Sequence, residues 1–136
     1  MSDNAITIYE TPDKKARFYF SHSDKNVTTG VLVMEPGKAL VKHNRPCAIE
    51  NLTQVYGKCL MTLFDDDNKT KEYELVIGEG VKMPKGQWHI HANPYDEISI
   101  TIFKADGDIV DIVKHIIETN NFIQTNKPKN LQKFFG

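Results

Sequence analysis

Two stretches decide the fold of this chain: GKALVKHNRPCAIENLTQVYG, residues 37–57, and GEGVKMPKGQWHIHAN, residues 78–93. In the first, Gly37 and Gly57 enclose His43, Arg45 and Glu50, with five, one, four and six residues between successive members. Turn-forming glycines on either side of chemically active side chains indicate short strands that carry those side chains. The first stretch therefore predicts a site whose ligands lie on strands.

The second stretch has a regular spacing of its own. Gly78, Pro84, Gly86, His89 and Asn93 are separated by five, one, two and three residues. The Pro-Lys-Gly sequence is a turn signal, because proline presets φ and glycine accepts a positive φ. The twenty residues between the two stretches, 58–77, predict a hairpin with a polar tip at residues 65–68.

Strand alternation sorts the polar residues of both stretches by face. Residues two apart on a strand lie about 7 Å apart on the same side. The pairs that share a face are His43 with Arg45, Glu50 with Gln54, and His89 with His91. If these faces point into one barrel, the groups converge, and burying them is costly unless they pair or bind a metal. Two histidines and one carboxylate form the facial-triad ligand set of metal enzymes.

Both stretches resemble the two sequence motifs of the cupin superfamily. The second matches the family pattern at every specified position, and the first matches in all its spacings. Arg45 stands where the family pattern has a second histidine. The resemblance covers residues 37–93 and implies an all-β, double-stranded β-helix (jelly-roll) barrel, often dimeric. It also implies a divalent metal ion held by His43, Glu50 and His89.

Outside these stretches the chain predicts short strands between Gly and Pro turns. The predicted strands are residues 5–9, 17–20, 27–34, 39–43, 52–64 with a bend at Gly57, 72–77, 88–93 and 97–103. We expect one cupin domain over residues 1–136, with the barrel core over about 5–105 and a C-terminal helix and tail over about 106–136.

The C-terminal segment changes character. Asp108 can cap an amphipathic helix over Asp108–Glu118, although its β-branched residues leave a strand as the alternative. From Thr119 the tail has three lysines and no acid. A frayed tail and a docked tail remain open alternatives. The apolar residues available to a dimer interface are Ile109, Ile112, Phe134 and Phe135.

Composition limits the class of protein. The chain has 136 residues, 40% of them hydrophobic and 26% charged, which is typical of one globular domain. A formal net charge of −1 argues against nucleic acid or an anionic membrane as partner. No apolar run approaches the roughly 18 residues of a membrane span. The polar N-terminus is unlike a signal peptide, and with two cysteines we expect a cytoplasmic protein with reduced thiols.

These residues predict a metal-binding cupin that acts on a small polar or anionic molecule, with dioxygenase and isomerase as the enzyme classes that fit best. The metal would be Fe, Mn, Ni or Zn, and the assembly a homodimer. Arg45 and Gln54 are the predicted substrate-binding residues, and His91 is the predicted catalytic residue or a further imidazole ligand. The alternative is a non-catalytic ligand-binding barrel in which Arg45 pairs with Glu50 and no metal binds.

Overall fold

The computed structural model describes residues 5–11, 13–46, 48–110 and 123–128. Over these residues the elements are strands. They are β1 (Ala5–Glu10), β2 (Ala16–Ser23), β3 (Thr28–Met34), β4 (Lys38–Ala39), β5 (Glu50–Tyr56), β6 (Cys59–Phe64), β7 (Thr70–Leu75), β8 (Gly80–Met83), β9 (Trp88–Asn93), β10 (Ser99–Ala105) and β11 (Ile123–Pro128).

The strands form two antiparallel sheets. The seven-stranded sheet has the order β11-β1-β2-β3-β10-β5-β8, and the four-stranded sheet has the order β4-β9-β6-β7. Side chains from both sheets pack in one apolar core, so the inner faces of the sheets lie against each other. The prediction of an all-β jelly roll is confirmed.

The core follows from strand alternation. Leu32 and Met34 on β3 point into the main core, whereas Val31 and Val33 between them belong to a separate cluster on the outer face of the sheet. Within the main core, Phe103 on β10 makes edge-to-face contacts with the side chains of β2, at 6.1 Å from Phe18 and 5.6 Å from Phe20 between ring centroids. This is a preferred geometry for aromatic pairs.

The prediction of one long strand over residues 52–64 is wrong. The chain leaves the seven-stranded sheet after β5 and enters the four-stranded sheet as β6, and Gly57 lies at the corner between them. Gly57 has a φ of +64°, and a Cβ there would lie 2.1 Å from the carbonyl oxygen of Ile98. The corner therefore requires glycine, both for the positive φ and for the close approach of the backbone.

Two other segments differ from the predicted strands. The strand expected over residues 39–43 ends at Ala39, and the next backbone pairing is an isolated antiparallel bridge between His43 and His89. Residues 80–83, which are not among the predicted strands, form β8 and pair with β5. Glycine lowers the strand propensity of this segment, and pairing with a neighbouring strand overrides that preference.

Part of the C-terminal tail belongs to a sheet. β11 pairs with β1 in antiparallel register from Ala5–Pro128 to Glu10–Ile123, so residues 123–128 are not frayed, and sheet structure extends beyond the predicted core limit of residue 105. Asp108 accepts a hydrogen bond from the N–H of Val110 at 2.9 Å, as an N-cap does. Residues 111–118 of the predicted helix, with Ile112, and also Phe134 and Phe135, lie outside the described residues. Among the described residues, no helix is long and apolar enough to cross a membrane.

Candidate metal centre

Three imidazoles meet inside the barrel. All three residues are buried: 2% of the surface of His43, 0% of that of His89 and 2% of that of His91 is exposed. The ring centroids lie 4.4 Å apart for His43 and His89, 4.9 Å for His89 and His91, and 5.5 Å for His43 and His91. One nitrogen from each ring lies within 4.8 Å of the others, so the three rings form a group that could hold a metal ion.

Local strand geometry produces this group. His89 and His91 are two residues apart on β9 and therefore point to the same side of the sheet. His43 faces His89 across the isolated bridge, in which His43 N–H donates to His89 C=O at 3.0 Å and His89 N–H donates to His43 C=O at 2.9 Å. Facing residues on antiparallel strands have their side chains on the same face, so the third ring joins the other two.

Backbone carbonyls fix the orientation of two rings. Nδ1 of His43 lies 2.8 Å from the carbonyl oxygen of Val41, and Nδ1 of His89 lies 2.8 Å from that of Gln87. A carbonyl only accepts, so each Nδ1 carries a proton, and in the neutral ring Nε2 then carries the lone pair. The Nε2 atom of His89 is buried and has no hydrogen-bond partner among the described residues. Metal-binding histidines are oriented by this kind of hydrogen bond from the other ring nitrogen.

Burial keeps the imidazoles of His89 and His91 neutral. Desolvation, with a contribution from the positive charge of Arg45, lowers the pKa of His89 from 6.5 to about 4, against the raising effect of the Gln87 carbonyl. Desolvation, with His89, His43 and Arg45, lowers the pKa of His91 well below 6.5. A neutral imidazole has a free lone pair, which is the form that binds a metal ion.

Arg45 and Glu50 form an ion pair inside the barrel. Nε of Arg45 lies 3.0 Å from Oε2 of Glu50, and the two side chains are only 4% and 2% exposed. Among the described residues, Nε and Nη1 of Arg45 and Oε1 of Glu50 have no hydrogen-bond partner, so the contact is an ion pair without a hydrogen bond. Burial raises the pKa of Glu50, while Arg45 acts to lower it. The structure thus places Glu50 with Arg45, outside the three-imidazole group.

Gln54 is buried on β5, and both ends of its amide are hydrogen-bonded. Its Nε2 donates to the Tyr56 carbonyl at 2.8 Å and to Ser99 Oγ at 3.0 Å, and its Oε1 accepts from Thr101 Oγ1 at 2.7 Å. A satisfied amide of this kind connects β5 to β10 and has little capacity left for a substrate. The geometry favours a structural role for Gln54 over the predicted substrate-binding role.

Sequence reasoning did not find the carbonyls of Val41 and Gln87. Every residue has a backbone carbonyl, so residue type carries no signal for this role. The only available signal is position, because each carbonyl belongs to the residue two before the histidine that it orients. The predicted ligand set was His43, Glu50 and His89. The structure instead groups His91, and not Glu50, with the other two histidines.

The residues present fit a divalent transition metal ion. Three atoms at most 4.8 Å apart have a common point within about 2.8 Å of each, slightly beyond the bond lengths of about 2.0–2.1 Å between zinc and imidazole. Imidazole suits Zn, Fe, Ni and Cu, and three protein ligands leave further positions for water or substrate. The buried Nε2 of His89, which has no hydrogen-bond partner in the described part of the chain, is the atom that such an ion would satisfy.

Two antiparallel sheets around buried histidines in two spaced motifs define a barrel of the cupin type. Solved structures of oxalate decarboxylase from Bacillus subtilis share this fold with the chain. The structure at pH 4.6 has a TM-score of 0.64 and 22% identity, covering 73% of this chain and 27% of that chain. A deletion mutant of the enzyme has a TM-score of 0.64 and 22% identity, covering 73% of this chain and 28% of that chain. A third structure, reported for its Mn(II) centres, gives the same TM-score and identity.

These likenesses show that the chain has the cupin fold. The chain spans little more than a quarter of the length of the solved chains, 27% and 28% in the first two. No protein-family model matches the sequence, and no curated protein sequence matches it.

Proposed function

We propose that this protein binds a divalent transition metal ion, with His43, His89 and His91 as ligands, and acts there on a small anionic molecule. The observation that carries the proposal is the group of three buried imidazoles, two of which are oriented by backbone carbonyls and two of which have lowered pKa values. The Mn(II) centres named for the structurally similar oxalate decarboxylase support it.

The chemistry divides between the ion and the chain. A bound ion would supply Lewis acidity or a position for dioxygen, so oxygen-dependent oxidation and isomerisation are the reaction classes that fit best. Arg45 would bind a carboxylate of the substrate, because its planar guanidinium matches that group in two-point contact. Burial of the whole site excludes water and strengthens these electrostatic contacts.

A second candidate function rests on the Arg45–Glu50 ion pair. In this alternative, Arg45 and Glu50 neutralise each other inside the barrel, no metal binds, and the barrel binds a ligand without catalysis. The buried contact of 3.0 Å favours this alternative, because a fixed positive charge near the imidazoles repels a cation.

Metal content separates the two functions. Wild-type protein and His89→Gln are incubated with Mn²⁺, Fe²⁺, Ni²⁺ or Zn²⁺, desalted, and measured by elemental analysis. We expect near-stoichiometric metal in wild type and its loss in His89→Gln. His22→Gln is the matched control, because His22 is an exposed histidine paired with Asp24 on the surface, and it should keep the metal.

The Arg45→His variant distinguishes the reasons for a negative result. Metal in Arg45→His but not in wild type would mean that Arg45 switches off an otherwise intact site, and the second candidate function would stand. Equal metal in wild type and Arg45→His supports the first. Metal in His89→Gln at the wild-type level would remove the proposed ligand set.

A further inference from the structure

The Arg45–Glu50 pair is only partly satisfied. One contact of 3.0 Å joins Nε to Oε2, while Nη1 and Oε1, both buried, have no hydrogen-bond partner within the residues that the structure describes. A buried charge with unused hydrogen-bonding atoms is costly, and an arginine–carboxylate pair normally gains its stability from two parallel contacts. Arg45 can therefore accept a further anionic partner at Nη1, and Glu50 a further positive or hydrogen-bonding partner at Oε1.

Charge balance identifies those partners. The guanidinium and the carboxylate cancel, and Arg45 is close enough to His89 and His91 to act on both electrostatically. A divalent cation on the imidazoles would bring two uncompensated positive charges into a buried space. Glu50 is the one carboxylate among the buried residues that the structure describes, and Arg45 pairs with it. The site needs an additional anion before Glu50 can face a cation.

We propose that a small carboxylate ligand and the metal ion bind cooperatively, with the carboxylate of the ligand replacing Glu50 on Arg45 and the released Glu50 facing the cation. This inference rests on the proposed function and specifies how the site takes its ligand. The exchange gives Arg45 a two-point partner and gives Glu50 a positive partner of its own. No covalent bond is made or broken. With the metal ion alone, the buried groups and the ion have a net charge of +2, and the carboxylate of the ligand lowers it to +1.

The backbone around Arg45 is suited to such an exchange. β4 ends at Ala39 and β5 begins at Glu50, so Arg45 lies on a connection without regular strand structure. Its carbonyl accepts one hydrogen bond, from the N–H of Gly86 at 3.0 Å. Glu50 is the first residue of β5 and is paired on both sides, with Met83 and with Ala105. Arg45 is thus the partner with more freedom to change its contact.

The test is calorimetric titration of Mn²⁺ into metal-free protein, at constant pH and ionic strength, in acetate or in chloride. Acetate is the probe because a monocarboxylate binds the free ion weakly. We expect acetate to tighten Mn²⁺ binding to wild type at least about tenfold, within the usual range of coupling between two ligands. By reciprocity, Mn²⁺ should tighten acetate binding by the same factor.

Variants of Arg45 and Glu50 test whether the acetate effect on Mn²⁺ binding depends on these two residues. In Arg45→Met and Glu50→Gln we expect the acetate effect to fall below twofold. Arg45→Lys keeps the charge without the planar guanidinium, so the acetate effect in this variant should be intermediate. This variant replaces Arg45→Met if Arg45→Met does not fold. Arg17→Met is the control, because Arg17 pairs with Glu35 near the surface at the same 3.0 Å, and the tenfold effect should persist.

The outcomes separate this inference from the proposed function. Mn²⁺ binding to wild type that is equal in acetate and chloride overturns cooperative uptake and leaves the metal site standing. A full acetate effect in Glu50→Gln overturns the exchange. An absence of Mn²⁺ binding in both media overturns the metal site itself, and this inference with it.

Discussion

At His89, burial and orientation act together. The ring is fully buried, its Nδ1 donates to the Gln87 carbonyl at 2.8 Å, and its pKa is lowered to about 4. An unfolded histidine has a pKa near 6.5. The folded state therefore excludes a proton that the unfolded state accepts, and the free energy of unfolding must depend on pH.

The sign of this dependence is definite. Stability from a lowered histidine pKa is present above pH 6.5 and is lost as the pH falls towards the folded pKa of about 4, by about 3 kcal/mol for His89 alone. Urea unfolding of metal-free protein between pH 7 and 4 should show this decrease. In His89→Gln the decrease should be smaller by that amount. In His22→Gln, with an exposed ring, it should match wild type. Equal slopes for wild type and His89→Gln would contradict the lowered pKa.

At the scale of elements, the β5–β6 corner determines which groups meet. β5 carries Glu50 and Gln54 in the seven-stranded sheet, whereas β6 pairs with the histidine-bearing β9 in the four-stranded sheet. The change of sheet at Gly57 sends the chain from one wall of the barrel to the other. Without this corner, Glu50 and the histidines would not lie on opposite inner faces.

Gly57→Ala tests the corner. A Cβ would meet the Ile98 carbonyl oxygen at 2.1 Å in addition to the strain of a positive φ. The strain costs about 1–2 kcal/mol and the overpacking about 1–3 kcal/mol more. Gly37→Ala is the control, because its φ is +85° and a Cβ there meets nothing within 4 Å, so only the strain applies. Denaturant unfolding should rank Gly57→Ala as the less stable variant, and a reversed order would refute the close approach at the corner.

At the scale of the whole molecule, the outer face of the seven-stranded sheet has its own apolar cluster. Val31, Val33 and Ile100 are buried there, and partly buried residues pack around them: Tyr19, Val55, Ile98 and Ile102. Ile109, predicted as interface material, is instead buried in the main core. The partly buried residues of this outer cluster form the apolar surface that we expect a second copy to cover.

Light scattering tests the dimer. At micromolar concentration we expect a mass twice the 15.5 kDa of the single chain. Ile102→Glu, which places a charge in the outer cluster, should yield the single-chain mass. Lys104→Glu is the control, because Lys104 is exposed two residues further along β10 on the same face, and it should leave the dimer intact. Wild type at the single-chain mass would exclude the dimer.

The sequence by itself determined which residues face the interior. Alternation from Glu50 to Gln54 and from His89 to His91 correctly predicts buried polar groups, and the spacing of the two motifs predicts the barrel type. The Arg45–Glu50 pair was one of two alternatives that the sequence left open. These features are accessible because the face of a strand is a local, two-residue property of the chain.

Only the tertiary structure decided which interior groups are neighbours. The bridge between His43 and His89 groups His43 with β9, while Glu50 starts a strand of the other sheet and lies against Arg45. The orienting carbonyls of Val41 and Gln87, the corner at Gly57 and the pairing of β11 with β1 depend equally on the folded chain. Periodicity along a strand gives the direction of a side chain, but its distance from another depends on pairing and register between segments far apart in sequence.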